Sequence, residues 1–257
     1  MRRIKLDIAY DGTGYCGWQL QPGKQTVEEI INKTLSQLFQ EEIAVIGASR
    51  TDSGVHAIGN VAVFDTNSRM AAEKICFAIN QRLPDDIRVQ KSMEVSSDFH
   101  PRRIRNRKTY EYRILNRKIA MPTERLYSDY QYCDLDVTAM QKAADYLVGE
   151  HDFKSFCSIK TRALETVRTI YRLEITKSED IITISVTGNG FLYNMVRIIV
   201  GTLIKVGKGA FPPEKIPEIL KGHSRALAGP TAHANGLTLI QIEYENTSNQ
   251  TTYEDED

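Results

Sequence analysis

Paired cysteines are missing from this chain. It has four in 257 residues, Cys16, Cys76, Cys133 and Cys157, far apart and forming no CxxC. That spacing excludes zinc ribbons, thioredoxin-type redox pairs and a disulfide framework. The histidines, His56, His100, His151, His223 and His233, include no i, i+4 pair and no HExxH, so no metal is indicated. No serine sits in a GxSxG elbow, which leaves acyl-transfer chemistry without local support. No apolar run approaches the ~20 residues of a membrane span. The best candidate, Met195 to Ile204, carries Arg197 inside it, and Lys5 and Asp7 break what would be a signal peptide's apolar stretch. The expectation is a soluble, cytoplasmic protein.

Neither sign of charge dominates, with 33 basic and 33 acidic residues. The average hides two asymmetries. From Glu245 onward there are five acids and no base, so residues 1–244 carry 33 basic against 28 acidic residues, a net +5. Ser97 to Lys118 holds eight bases against Asp98 and Glu111. A local +6 suits an anionic partner, and it also suits a solvated charged face.

With 41% hydrophobic and 26% charged residues, the composition is that of a folded globular chain. Arg3 to Tyr10 alternates Ile4, Leu6, Ile8 and Tyr10 with polar residues, a half-buried strand. Thr26-Val-Glu-Glu29 is a capping box that opens a helix to about Phe39. Strands are expected at 43–49 and 58–66, a helix at 71–82 and a strand at 87–95. That order, βαββαβ, is the ferredoxin-like arrangement. A second set follows: strand 108–115, a helix at 137–148 opened by Asp136, strands 166–177 and 180–187, helices 191–206 and 213–221, and strand 237–244. The reading is an α+β protein of two ferredoxin-like halves, residues 1–100 and 101–245, around a cleft. Residues 246–257 form an acidic tail, expected to be disordered.

Two tempting glycine motifs fail on context. Gly12-Thr-Gly14-Tyr-Cys-Gly17 fits GxGxxG after a strand, but the expected helix begins only at Val27, so no helix N-terminus meets a pyrophosphate. Gly201 to Gly209 has the wrong spacing for a P-loop and lacks the Ser or Thr that holds magnesium.

Three segments carry possible chemistry. Gly47-Ala-Ser-Arg50-Thr51-Asp52-Ser53-Gly54-Val55-His56-Ala57 is a polar, glycine-bounded loop that presents Asp52, as a reacting carboxylate or as a turn cap. Arg107 to Arg113 sets Tyr110 and Tyr112 on one face of a basic strand, a pattern for stacking on an exposed base or for core packing. Arg197 lies in an apolar segment with Phe191, Leu192, Met195 and Val196, where it must find a carboxylate or snorkel to the surface.

These segments together resemble the TruA family of tRNA pseudouridine synthases. The likeness rests on Tyr10-Asp-Gly-Thr-x-Tyr-x-Gly-Trp-Gln19, Arg50-Thr-Asp-x-Gly-Val-His-Ala57 and Gly190-Phe-Leu-x-x-Met-Val-Arg197, in order, between about residues 5 and 244. It implies two α+β halves around an RNA cleft, and isomerisation of uridine to pseudouridine at positions 38 to 40 of the tRNA anticodon stem-loop. It implies Asp52 as the essential carboxylate, with Arg50, Tyr110, Arg197 and Leu237 as substrate-contacting or supporting residues. It further implies no cofactor, tRNA as partner, and a homodimer. Ser49 stands where many relatives have Gly. The rival reading is a non-catalytic RNA binder of two RRM-like halves, which the missing RNP1 pattern disfavours.

Overall fold

Ile4, Leu6 and Ile8 are fully buried while their neighbours are half-exposed, so alternation in the sequence becomes the two faces of a strand. That strand, β1 (Arg2–Tyr10), belongs to a computed structural model that describes residues 1–159 and 165–245. The acidic tail at 246–257 lies outside the described residues.

The elements follow as α1 (Val27–Phe39), β2 (Ile46–Gly47), β3 (His56–Thr66), α2 (Ile75–Asn80) and β4 (Ile87–Val95). After them come β5 (Asn106–Asn116), β6 (Asp129–Gln131), α3 (Val137–Asp145), β7 (Gly149–Asp152), β8 (Val167–Ser178) and β9 (Ile181–Gly188). The series closes with α4 (Met195–Gly207), α5 (Lys215–Gly222) and β10 (Leu237–Tyr244). The strands form one sheet in the order β4-β1-β3-β10-β5-β9-β8-β7, with β2 on β3 and β6 on β5. Each set of four main strands runs with its first strand central. α1 packs against α2 and α3 against α4. This is the mixed α+β architecture expected from the sequence.

One strand of the first set barely forms. Residues 43–49 read as a strand, yet only Ile46–Gly47 pairs with β3. Side chains of α1 take the amides upstream: Ile43 N–H donates to Ser36 Oγ at 3.0 Å and Val45 N–H to Asn32 Oδ1 at 2.8 Å. With those donors satisfied by the helix, no ladder to the end of β3 is needed. At the other end of β3, β10 pairs in parallel, Thr238 opposite His56 and Leu239 opposite Ala57.

Other boundaries moved for local reasons. The helix expected from 191 begins at Met195, because Asn194 before it adopts a left-handed φ of 61°. The helix expected at 71–82 is a 3-10 turn, Ala72–Lys74, followed by α2. β6 and β7 were not expected, being only 3 and 4 residues long. The caps did form: Thr26 Oγ1 accepts from Glu29 N–H and Asp136 Oδ1 from Ala139 N–H, at 3.4 and 2.9 Å.

Candidate active site

The loop between β2 and β3 is held on all sides. Ala48 N–H donates to the Val61 carbonyl at 2.7 Å, and Ser49 N–H donates to Asn60 Oδ1. Asn60 Nδ2 donates in turn to the Ser49 carbonyl and the Tyr10 hydroxyl. The Tyr10 hydroxyl lies 2.7 Å from Thr51 Oγ1. Asn60 is fully buried, and a satisfied polar network of this kind fixes backbone position better than apolar packing does. Val55 N–H closes the turn on the Asp52 carbonyl at 3.1 Å.

From outside, the 12–18 segment clamps the same loop. Trp18 N–H donates to the Thr51 carbonyl and Gly54 N–H to the Tyr15 carbonyl. The approach is so close that a Cβ on Gly12 would stand 2.0 Å from the Val55 carbonyl oxygen. Gly17, at φ 85°, leaves only 2.6 Å between such a Cβ and the Thr51 carbonyl oxygen. The GxGxxG string thus braces the Asp52 loop. His56, just after the loop, adds a tie: its Nδ1 accepts from Gly12 N–H at 3.1 Å and its Nε2 lies 2.9 Å from the Leu126 carbonyl.

Arg197 comes to this loop from α4. Its Nη1 lies 3.3 Å from Asp52 Oδ2 and donates to Asn194 Oδ1 at 3.0 Å, while Nε donates to the Ala232 carbonyl at 2.8 Å. Three acceptors fix the guanidinium, so the arginine does not snorkel. Burial pushes the Asp52 carboxyl above the ordinary carboxylate value, and the nearby Arg197 opposes this without cancelling it.

Tyr110 reaches the site from β5, whose register with β10 sets Tyr110 opposite Leu239 and Tyr112 opposite Leu237. Its hydroxyl lies 2.7 Å from Ser49 Oγ, and its ring meets the Phe191 ring edge-on at 5.3 Å. Burial pushes the phenol up to about 12, so it stays protonated at neutral pH. Tyr112, on the same strand face, is instead core: fully buried, it donates to the His233 carbonyl. The interleaved tyrosines divide into one at the site and one in the packing.

Asp52, Arg50, Tyr110, Arg197 and Leu237 all line one cavity of about 860 Å³. That lies within the roughly 300–1,000 Å³ of small-ligand sites. Five cations, Lys24, Arg50, Arg102, Lys108 and Arg197, face it against the single carboxylate of Asp52. Such a cavity draws in an anionic chain and holds one ionisable carboxyl beside an aromatic wall.

A family described as tRNA pseudouridine synthase matches residues 8–102 and 143–245. The tRNA pseudouridine synthase A of a Thermoanaerobacter species is 48% identical over 244 residues, covering 95% of this chain and 100% of that protein. Its counterpart in Ruminiclostridium cellulolyticum is 49% identical over 245 residues, with 95% and 100% covered. This chain belongs to the tRNA pseudouridine synthase family. Among solved structures, an H/ACA ribonucleoprotein bound to a substrate RNA containing 2′-deoxyuridine aligns at 15% identity and TM-score 0.34, over 77% of this chain and 44% of that one.

In this member of the synthase family, sequence reasoning missed three residues of the cavity. Phe191 was assigned to a helix but stands in the turn before it, against Tyr110. Gly188-Asn-Gly190 ahead of it was the available signal, since such a pair delays a helix start. Ser49 was noted only as a departure, yet it holds the Tyr110 hydroxyl. Lys108 was counted in a basic run, and nothing in its neighbours foretold that its ammonium turns inward to the Ala48 carbonyl.

Proposed function

We propose that this chain isomerises uridine to pseudouridine in tRNA, at positions 38 to 40 of the anticodon stem-loop, with Asp52 as the essential carboxylate. The observation that carries the reading is the Asp52–Arg197 pair at 3.3 Å inside a cavity whose lining includes four further cations and the rings of Tyr110, Phe191 and Tyr193. Residues 1–100 supply the aspartate loop, and residues 101–245 supply Tyr110, Arg197 and Leu237. The working form is a cytoplasmic homodimer, as the family resemblance implies.

The reaction breaks the N1–C1′ bond, turns the detached uracil and joins C5 to C1′. Atoms are rearranged and none is gained from a co-substrate, so electrons balance without a cofactor. Asp52 acts ionised, attacking the ring or sugar or removing the C2′ proton. Arg197 keeps that carboxylate oriented and offsets part of the burial that disfavours its charge. The neutral Tyr110 ring supports the base as it turns. Its hydroxyl, bonded to Ser49, stays protonated, so it assists loss of the C5 proton only as a relay that passes its own proton on through Ser49 Oγ to solvent once the new bond has formed. Leu237 closes the apolar side of the base pocket, and Arg50 faces the backbone. Extruding the uridine from its stack costs a few kcal/mol, offset by these cationic and aromatic contacts.

The test is tritium release from C5-labelled uridine in a mixed tRNA transcript pool, with wild type beside Asp52→Asn. Release by wild type alone is expected, followed by mapping of the modified position within the anticodon stem-loop. Equal release from both proteins would remove Asp52 from the mechanism. Tight tRNA binding with no release from either would leave only an RNA binder.

A further inference from the structure

Lys108 is a cation with no assigned work. It sits on β5 two residues before Tyr110, half-buried, and its ammonium donates to the Ala48 carbonyl at 2.9 Å. Among the described residues it forms no ion pair. Its charged surroundings are of its own sign. Arg102 and Arg50 face it from the basic connection before β5 and from the Asp52 loop, and both act on it as like charges. Asp52, the one carboxylate lining the cavity, is engaged by Arg197. Glu28 acts on Arg102 from a distance and accepts instead from Leu20 N–H at 2.7 Å. Glu150, Glu165 and Arg168 line a smaller cavity of about 420 Å³ on the other side of Lys108.

One carbonyl does not explain this arrangement. An uncharged amide would satisfy Ala48 equally well, without setting a third positive charge beside two arginines in a partly desolvated wall. Three cations gathered at one wall, two of them solvent-exposed arginines and none in an ion pair among the described residues, form a seat that an anion arriving with the ligand would neutralise. The Ala48 carbonyl that holds Lys108 lies on the segment running from β2 into the Asp52 loop, and all three residues line one cavity, so the anion belongs to the substrate held at that carboxylate. Arginine forks and a lysine ammonium together suit the two free oxygens of a phosphodiester.

Resting on the reading of the chain as a tRNA-modifying synthase, we propose that Lys108, with Arg102 and Arg50, seats one backbone phosphate flanking the target uridine. Lys108 supplies the buried charge and the arginines close over the outer face. Burial and the two arginines bring its pKa down to about 8, so Lys108 is partly neutral in the free protein near that pH and largely neutral above it. The arriving phosphate draws the proton back.

The discriminating variant is Lys108→Gln, which keeps an N–H for the Ala48 carbonyl and removes only the charge. Binding of an anticodon stem-loop RNA is measured at several salt concentrations, in an Asp52→Asn background so that the RNA is not converted. A loss of about 0.7–0.9 in the slope of log affinity against log salt is expected, the release of one phosphate contact. Lys108→Arg restores the wild-type slope. In the second arm, single methylphosphonate linkages neutralise the RNA phosphates one by one. One linkage beside the target uridine should weaken binding to the lysine form about tenfold and to the glutamine form, which keeps only the two arginines, by distinctly less. An unchanged salt slope in Lys108→Gln would overturn the proposal. So would equal losses in both proteins at every neutralised linkage. Tritium release by the wild type is read separately, so failure of the isomerase reading is told apart from failure of this one.

Discussion

The Asp52 carboxylate and the Arg197 guanidinium meet at 3.3 Å although 145 residues of chain separate them. Each is fixed by its own neighbourhood before they meet, Asp52 by a clamped turn and Arg197 by the Asn194 and Ala232 oxygens. The pair is therefore a result of the fold, and changes on either side should have separable effects.

Asp52→Asn keeps the shape of the turn, since Val55 bonds to the Asp52 main-chain carbonyl and not its side chain. Turnover should fall to background while tRNA affinity stays within a few-fold of wild type. Tritium release and filter binding on the same preparations check both halves of that statement.

The carboxyl of Asp52 already sits above its ordinary value through burial, and Arg197 holds it down. A group that must be ionised gives activity above its pKa and loses it as the pH falls through that value. Arg197→Met removes the opposing charge, so the acid limb of the rate profile should move to higher pH. Stability should fall by about 1–3 kcal/mol, because Asp52 is left without its partner. Single-turnover rates across pH, with a thermal melt, test the direction and the size.

Tyr110→Ala should lower activity by an amount equivalent to about 1–3 kcal/mol of lost stacking. Tyr110→Phe preserves the ring and its edge contact with Phe191 but strands the Ser49 hydroxyl. It should retain the affinity of wild type and lose rate. Comparing affinity and rate across the two variants separates ring from hydroxyl.

Gly12→Ala tests the brace. Its Cβ would overlap the Val55 carbonyl, which is backbone and cannot swing aside. The Asp52 loop must shift, and displacement by about 1 Å can cost on the order of a hundredfold in rate. Gly14→Ala meets nothing within 4 Å and should leave the rate intact. The contrast between two glycines of the same motif, measured as turnover, is the check.

Far from the site, Arg3 holds Asp65 through two bonds, at 2.8 and 2.7 Å, and the Asp65 pKa is lowered chiefly by them. A carboxyl depressed in the folded state contributes stability above its unfolded value, and loses it as the pH falls through the folded value. Asp65→Asn should cost roughly 0.2–1 kcal/mol at neutral pH, limited by solvent exposure. The difference from wild type should fade as the pH falls below about 4. Urea melts at pH 7 and at acid pH test both.

Much of this was legible in the sequence because the relevant signals are local. Alternation in β1, the Thr26 and Asp136 caps and the doubled order of elements each depend on a few adjacent residues. The three motif segments could be named, and the fold brings their four marked residues and Leu237 to one cavity. What escaped depends on contacts across the chain. Whether 43–49 pairs as a strand is decided by Asn32 and Ser36 on α1, which capture its amides. The inward turn of Lys108 is decided by a carbonyl sixty residues earlier. Burial outweighing Arg197 at Asp52 is a balance that spacing along a chain does not reveal.

The two-residue seam between β3 and β10 has a mechanical meaning. Main-chain bonds at His56 and Ala57 rivet the end of the Asp52 loop to the strand that starts at Leu237, and that strand is laddered to the one bearing Tyr110. Reagent and anvil are thus welded to one plate, with no hinge between them to open or shut. On the proposed function, the work of fitting would fall on the RNA, which would have to unstack and bend until its uridine reached the carboxylate. On this plan selectivity reads the pliancy of the stem-loop as much as its letters: a stiffer substrate of identical sequence would be turned away.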